Sequence, residues 1–157
     1  MDDIEKTKKA ALRLLGFRPR SENELRKRLG QKGLPKDAIE RTLEGLRRDG
    51  ALDDEKFARL YALSRMQSGS FGKGRVRREL SQRGLTSALV EKGMGAIADM
   101  DEAPAAEALV ERRLSSMRGL SADAKKRRLH GLLLRRGFSP QISFKVLGKF
   151  LGAMKEE

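Results

Sequence analysis

The sequence predicts an all-α protein, an elongated and curved array of three tandem three-helix repeats with nine helices in all. Three observations carry that prediction. The first is a pattern of two apolar residues four apart, a glycine four residues later and an apolar residue directly after it. It occurs as Leu25, Leu29, Gly33, Leu34, then as Val76, Leu80, Gly84, Leu85, then as Leu129, Leu133, Gly137, Phe138. The three glycines stand 51 and 53 residues apart. The second is that the register persists: Leu43, Met94 and Leu147 lie ten residues past each glycine, and Leu46, Ile97 and Phe150 thirteen past it. Those positions are one turn apart on one helix face, so each glycine separates two amphipathic helices. The third is composition. Of 157 residues 38% are hydrophobic, only 4% aromatic and none is Trp, which suits small units stacked side by side better than one large core. The repeats are expected at residues 1–50, 51–100 and 101–157, forming one continuous elongated domain.

Each helix has its own local reasons. Helix one is expected from about Asp3 to Leu15, with Ile4, Lys8, Ala11, Leu12 and Leu15 at helical spacing and Gly16 and Pro19 ending it. Ser21 and Glu24 form the S-x-x-E pattern of a capping box before helix two, 22–32, which buries Leu25 and Leu29. Gly33 supplies its left-handed cap, and Pro35 begins helix three in the first turn, where a missing N–H costs nothing. Ile39, Leu43 and Leu46 line the inner face of that helix, and Gly50 follows it. In the second repeat Asp53 reads as an N-cap, Leu52 and Phe57 as the two ends of a hydrophobic staple, and Asp54 and Glu55 as complements to the helix dipole. Helix four runs to about Gln67. The flexible linker from Ser68 to Gly74 follows, then helix five to Arg83 and helix six over 86–98. The third repeat opens near Asp101 with Pro104 in its first turn. Helix seven carries Leu109, Val110, Leu114 and Met117, and helix eight the basic run Lys125 to Arg128. Ser139 and Pro140 make an N-cap and first-turn pair for helix nine, which buries Ile142, Leu147, Phe150 and Leu151.

Charge narrows the class of partner. Lys plus Arg outnumber Asp plus Glu by 35 to 22, a net +13 spread over the whole chain. Such a field attracts polyanions, whether nucleic acid, an anionic membrane surface or an acidic protein face. Cysteine is absent, which excludes disulfides and thiolate metal sites and agrees with a reducing cytosol. No apolar run approaches a bilayer span, and Met1, Asp2, Asp3 and Ile4 do not begin a signal peptide. A soluble intracellular protein with no membrane partner is expected, acting as a monomer.

Catalysis, metal and cofactor are not expected. His130 is the only histidine, so a metal site or nucleophilic triad has almost nothing to draw on, and it reads as a surface or interhelix residue. Three acids at 53–55 point in different directions from a helix and do not make a cation site. The Ser68–Gly74 linker resembles a phosphate loop only superficially, because Gln67 and Gly74 stand where the Walker pattern needs Gly and Ser or Thr.

The basic residues are the better candidates. Lys32, Arg83 and Arg136 each precede a capping glycine, where the helix dipole alone explains a cation. Arg26, Lys27, Arg77 and Arg78 are mid-helix, where no cap explains them, and with Lys73, Arg75, Arg127 and Arg128 they would form a basic stripe along the second helices. Arg18 and Arg20 beside a helix N-terminus face its positive end and are unexplained by capping. Two readings stand on these residues. A rod of three-helix units resembling helix-turn-helix folds would lie on DNA through its phosphates, or the rod would dock on a protein assembly. Tyr61 and six Phe, several of them in core positions, offer few stacking platforms for single-stranded bases.

The motifs Arg18-x-Arg20-Ser21-x-x-Glu24-Leu25, Leu52-Asp53-Asp54-x-x-Phe57-Ala58 and Gly74-x-x-x-x-Glu79-Leu80-x-x-x-Gly84 resemble the bacterial RecX regulatory family in order and spacing. The L-D-D-x-x-F-A segment is the most specific; the third repeat matches by register. The resemblance implies a small cytoplasmic regulator that binds the RecA recombinase within the groove of its nucleoprotein filament. It further implies modulation, usually inhibition, of filament growth, strand exchange, ATPase and coprotease activity in DNA repair and the SOS response. The family supplies no catalytic residues. Under that reading Arg26, Lys27, Arg77 and Arg78 face acidic filament surface or DNA phosphate. The rival is a direct DNA-binding module.

Overall fold

A computed structural model describes residues 2–152. Among these residues there are nine helices and no strand. The helices are α1 (Asp3–Phe17), α2 (Glu22–Gln31), α3 (Lys36–Arg48), α4 (Asp54–Gln67), α5 (Lys73–Gln82), α6 (Ser87–Gly95), α7 (Ala103–Leu114), α8 (Ala122–Arg135) and α9 (Pro140–Leu151). The chain forms two compact units. One comprises Met1–Tyr61 and Leu80–Gly95, the other Ala62–Glu79 and Ala96–Glu157. These bounds differ from repeat bounds at residues 50 and 100, because α4 and α5 each supply residues to both units.

In the first unit α1, α2 and α3 pack on one another around Ala11, Leu14, Leu25, Leu29, Ile39, Leu43, Leu46 and Leu52. Full burial of a leucine stabilises by about 1.5–3 kcal/mol relative to exposure, so this apolar stripe is what holds the three short helices together. Helix α6 approaches so closely that a Cβ on Gly93 would lie 2.9 Å from the Ala58 Cβ and 3.0 Å from a Leu80 methyl. In the second unit α7, α8 and α9 enclose Ala106, Leu109, Val110, Leu129, Leu133, Phe138, Val146 and Leu147.

Local chemistry sets most helix ends where the spacing placed them. Ser21, Ser121 and Ser139 each accept a hydrogen bond at 3.2 Å from the backbone three residues on. Asp53 Oδ1 accepts from Glu55 and Lys56 N–H at 3.1 Å, with Leu52 and Phe57 both buried beside it. Gly33, Gly84 and Gly137 have φ of 79°, 80° and 89°. Some bounds move. Pro35 is the N-cap of α3 rather than a first-turn residue, since its extended ψ of 141° leaves only its carbonyl in the ladder, accepting from Ile39 at 3.0 Å. Helix α6 stops at Gly95, three residues before the expected end, and Ile97 is fully buried from the turn that follows. Helix α7 ends at Leu114, so Met117 packs on the core from outside the helix. Phe150 is half-buried where Leu46 and Ile97 are buried.

Candidate interaction surface

Within the first unit, the start of α2 is built against the turn that follows α5. Ser21 Oγ accepts from Glu24 N–H and donates to the Arg83 carbonyl at 2.9 Å. The Glu24 carboxylate does not return to the Ser21 backbone as a reciprocal box would require. It binds Arg83 at 2.6 Å and Arg18 at 3.0 Å, because two guanidiniums offer more than one amide. The Arg83 guanidinium also lies 4.6 Å from the Tyr61 ring centroid. Burial pulls its pKa down, but hydrogen bonds to Glu24 and Tyr61 outweigh burial and leave it raised. The first free amide of α2, Glu22 N–H, donates to Asp54 Oδ1 at 2.8 Å. Asp54 thus caps α2 as well as opening α4, and burial pushes its carboxyl above the usual range despite that bond.

Within the second unit, the start of α5 meets the turn after α8. Gly72 N–H donates to the Arg136 carbonyl at 2.8 Å and Gly74 N–H to the Gly137 carbonyl at 3.0 Å. Lys73 N–H, between them, donates to Glu102 Oε1 at 2.9 Å, and Glu102 is buried. The amides that a phosphate loop would turn to a ligand are thereby used inside the protein. Beside them the Phe71 ring has the Arg75, Arg65 and Arg136 guanidiniums 4.1, 4.3 and 5.7 Å from its centroid. Glu79 gathers two of them, accepting from Arg65 at 2.7 and 2.8 Å and from Arg75 at 3.3 Å.

These contacts sort the ten candidate cations. Arg18 is paired with Glu24, and the half-buried Arg20 donates to the Leu14 carbonyl at 3.2 Å, tying down the end of α1. Burial and then the neighbouring Arg18 lower the Arg20 pKa. Arg26 bridges Glu40 at 2.6 Å and Glu22 at 3.3 Å; its hydrogen bond to Glu40 raises its own pKa and lowers that of Glu40. Arg47 also binds Glu22. Arg75 joins Glu79 and Phe71, and Lys73 Nζ donates to the Ala98 carbonyl at 2.9 Å. Arg77 is exposed on α5. Lys27, Arg78, Arg127 and Arg128 are exposed and form no ion pair with a described residue. Lys73 and Arg75 come together at the start of α5, while Arg127 and Arg128 lie along α8.

Sequence reasoning missed three residues here. Arg83 and Arg136 do more than complement a dipole, and their place before the capping glycine was the available signal. Phe71 had no signal beyond its position in a polar linker. Phe17, at the end of α1, is 79% exposed and is not one of the phenylalanines in core positions. His130 is an interhelix residue, with Nδ1 2.6 Å from Ser143 Oγ and its ring stacked on Phe144 at 5.1 Å. Among the described residues no group of three or more His, Cys, Asp or Glu is placed to hold a metal ion, and no helix is long and apolar enough to cross a membrane.

Known proteins match this chain along most of its length. The RecX first, second and third three-helix domains match residues 8–46, 53–94 and 101–147 in order. The regulatory protein RecX of Streptomyces coelicolor is 31% identical over 156 residues, covering 99% of this chain and 81% of the relative. That of Geobacillus thermodenitrificans is 32% identical over 156 residues, covering 99% of this chain and 58% of the relative. The crystal structure of RecX from Lactobacillus salivarius shares the fold with a TM-score of 0.82 at 23% identity, covering 94% of this chain and 96% of that one. A second crystal structure, of a regulatory protein RecX, has a TM-score of 0.82 at 22% identity, covering 92% of this chain and 71% of that one. Three tandem three-helix domains in this order, and relatives named as regulators rather than enzymes, lead to one conclusion: the chain belongs to the RecX family of non-enzymatic regulatory proteins.

Proposed function

We propose that this protein binds the RecA nucleoprotein filament within its groove and inhibits recombinase, ATPase and coprotease activity, acting as a cytoplasmic monomer in DNA repair and the SOS response. The observation that carries this reading is uncompensated positive surface. The described residues of the second unit hold sixteen Lys and Arg against seven Asp and Glu. Arg78, Arg127 and Arg128 stand exposed there without an ion pair to a described residue, as Lys27 does in the first unit. Cations left free in the folded protein are available to an acidic filament surface or to DNA phosphate.

A direct DNA-binding role is the second reading, and Phe17 favours it: a 79% exposed ring next to Arg18 is a place for an unpaired base to stack. The ATPase rate of RecA on single-stranded DNA, titrated with this protein below one per recombinase subunit, separates the two when bare-DNA binding is measured at matched salt. A fall in ATPase well ahead of DNA occupancy is the expected result. A fall that only tracks DNA coverage, or none, favours direct DNA binding. Charge reversal at Arg78, Arg127 and Arg128 together is expected to weaken filament binding at unchanged helicity.

A further inference from the structure

The turn that follows the second helix of each repeat has one backbone form and, in two of its three copies, one use. Gly33, Gly84 and Gly137 share a positive φ, and each glycine N–H donates to the carbonyl three residues back at 3.0 Å. In the second copy the carbonyl of the residue before the glycine, Arg83, accepts from the N-cap residue Ser21, and its side chain takes the Glu24 carboxylate. In the third copy the Arg136 carbonyl accepts from Gly72 N–H, and its side chain lies over Phe71. Both turns therefore seat on the start of a helix: a Cβ at Gly84 would sit 2.2 Å from Asn23, and one at Gly137 2.2 Å from the Arg75 backbone.

The first copy, Lys32–Gly33, has the same geometry and no seat. Lys32 is exposed without an ion pair to a described residue, and a Cβ at Gly33 would meet nothing within 4 Å. The other two turns show what fits it. In both, a helix start presents an N-cap hydroxyl or amide to the carbonyl. At Gly84 it adds the Asn23 side chain against the glycine and the first-turn Glu24 carboxylate on the cation, whereas α5 has no acid in its first turn and Arg136 lies over Phe71 instead. Lys32, whose ammonium is a compact point charge without a planar face to lay on a ring, matches the first form. We infer that the Lys32–Gly33 turn is a docking element for a partner protein, whose matching feature is a helix N-terminus with a small or hydroxyl N-cap and an acidic residue in its first turn. The cation and the acidic first turn are complementary, and each is placed favourably by its own helix dipole. The inference rests on the filament reading above, which makes the partner a protein of the RecA filament.

The test uses the whole protein and RecA filaments on single-stranded DNA. Because the chain has no cysteine, Lys32→Cys carries a single environment-sensitive dye that reports on this turn alone. The dye is expected to shift on filament binding. Lys32→Glu is expected to weaken binding about tenfold and Lys32→Arg to preserve it, since Arg stands there in the other two copies. Gly33→Asn, a residue that tolerates the left-handed region, keeps the helical melt and blocks the seat. A silent dye, with both Lys32→Glu and Gly33→Asn binding like the unsubstituted protein, overturns the docking turn and leaves the filament reading standing. Failure of the unsubstituted protein to bind overturns both. Concentration-dependent self-association that Lys32→Glu abolishes assigns the turn to a second copy of the chain and overturns the partner stated here.

Discussion

At the start of α2 the incoming turn is held by side chains, and at the start of α5 by backbone. Ser21, Asn23 and Glu24 fill the space in front of Arg83 and Gly84, whereas Gly72 and Gly74 leave none, so their amides reach the carbonyls of Arg136 and Gly137 directly. Both starts take a further cap from a carboxylate distant in sequence, Asp54 for α2 and Glu102 for α5. One packing problem thus has an electrostatic solution in the first unit and a steric one in the second. The first should yield to charge changes and adapt to bulk, and the second should do the reverse.

The largest difference is expected from the capping glycines. Gly137→Ala places a Cβ against Arg75 backbone, which cannot step aside, at a φ that Ala rarely adopts. A loss of about 3 kcal/mol or more is expected. The nearest atoms to a Cβ at Gly84 all belong to the Asn23 side chain, whose amide can swing away while its Cβ, 2.7 Å off, needs only a small shift, so Gly84→Ala should cost less, about 2 kcal/mol, with φ a large part of it. Denaturant midpoints in the reverse order would break the comparison. Next is Glu24→Ala, which strands the part-buried Arg83 and should cost about 2 kcal/mol, less at high salt. Phe71→Leu keeps the volume but removes the ring faced by three guanidiniums. It should cost about 1 kcal/mol with little salt dependence, and a cost equal to that of Glu24→Ala would show the second start to be electrostatic after all.

The smallest effect is in pH. Burial raises the folded-state pKa of Asp54, so its ionised form weighs against folding, and this contribution grows more favourable as pH falls from the folded-state value toward the ordinary carboxylate value. Asp54→Asn keeps an acceptor for Glu22 N–H and should remove that slope. Glu40 runs the other way. The hydrogen bond from Arg26 lowers its pKa, giving stability that is present above the ordinary carboxylate value and lost as pH falls through the folded-state one. Glu40 is half-exposed, so solvent screening holds its effect to a few tenths of a kcal/mol. An acid-side stability profile that Asp54→Asn leaves unchanged would remove the buried Asp54 carboxyl from the pH dependence of the first unit.

Several residues were legible and still incompletely read. Ser21 caps α2 as the S-x-x-E pattern says, but Glu24 is drawn away by Arg83, 59 residues on. Asp54 in the L-D-D segment reads as a dipole complement to α4, and its second use on α2 depends on a partner 32 residues back. Arg18 and Arg20 looked unexplained because their acceptors, Glu24 and the Leu14 carbonyl, follow from how the chain turns between α1 and α2. Arg26 stands mid-helix with no cap to explain it, yet Glu40 on the next helix takes it.

Among the described residues, the sequence by itself determined the nine helices, the Ser21, Asp53 and Ser139 caps, the left-handed glycines at 33, 84 and 137 and the fully buried pairs Leu25–Leu29, Val76–Leu80 and Leu129–Leu133. Helical periodicity, capping and φ preference all act within about four residues, so they are written in adjacent letters. Only the tertiary structure decided that two of the three glycine turns are seated and one is open. It also decided that Arg26 is taken by Glu40 and Arg83 by Glu24, while Arg78, Arg127 and Arg128 stay exposed with no ion pair to a described residue. The seated turns rest on groups about sixty residues apart meeting within hydrogen-bond distance, and pairing of that range leaves no local mark in the chain.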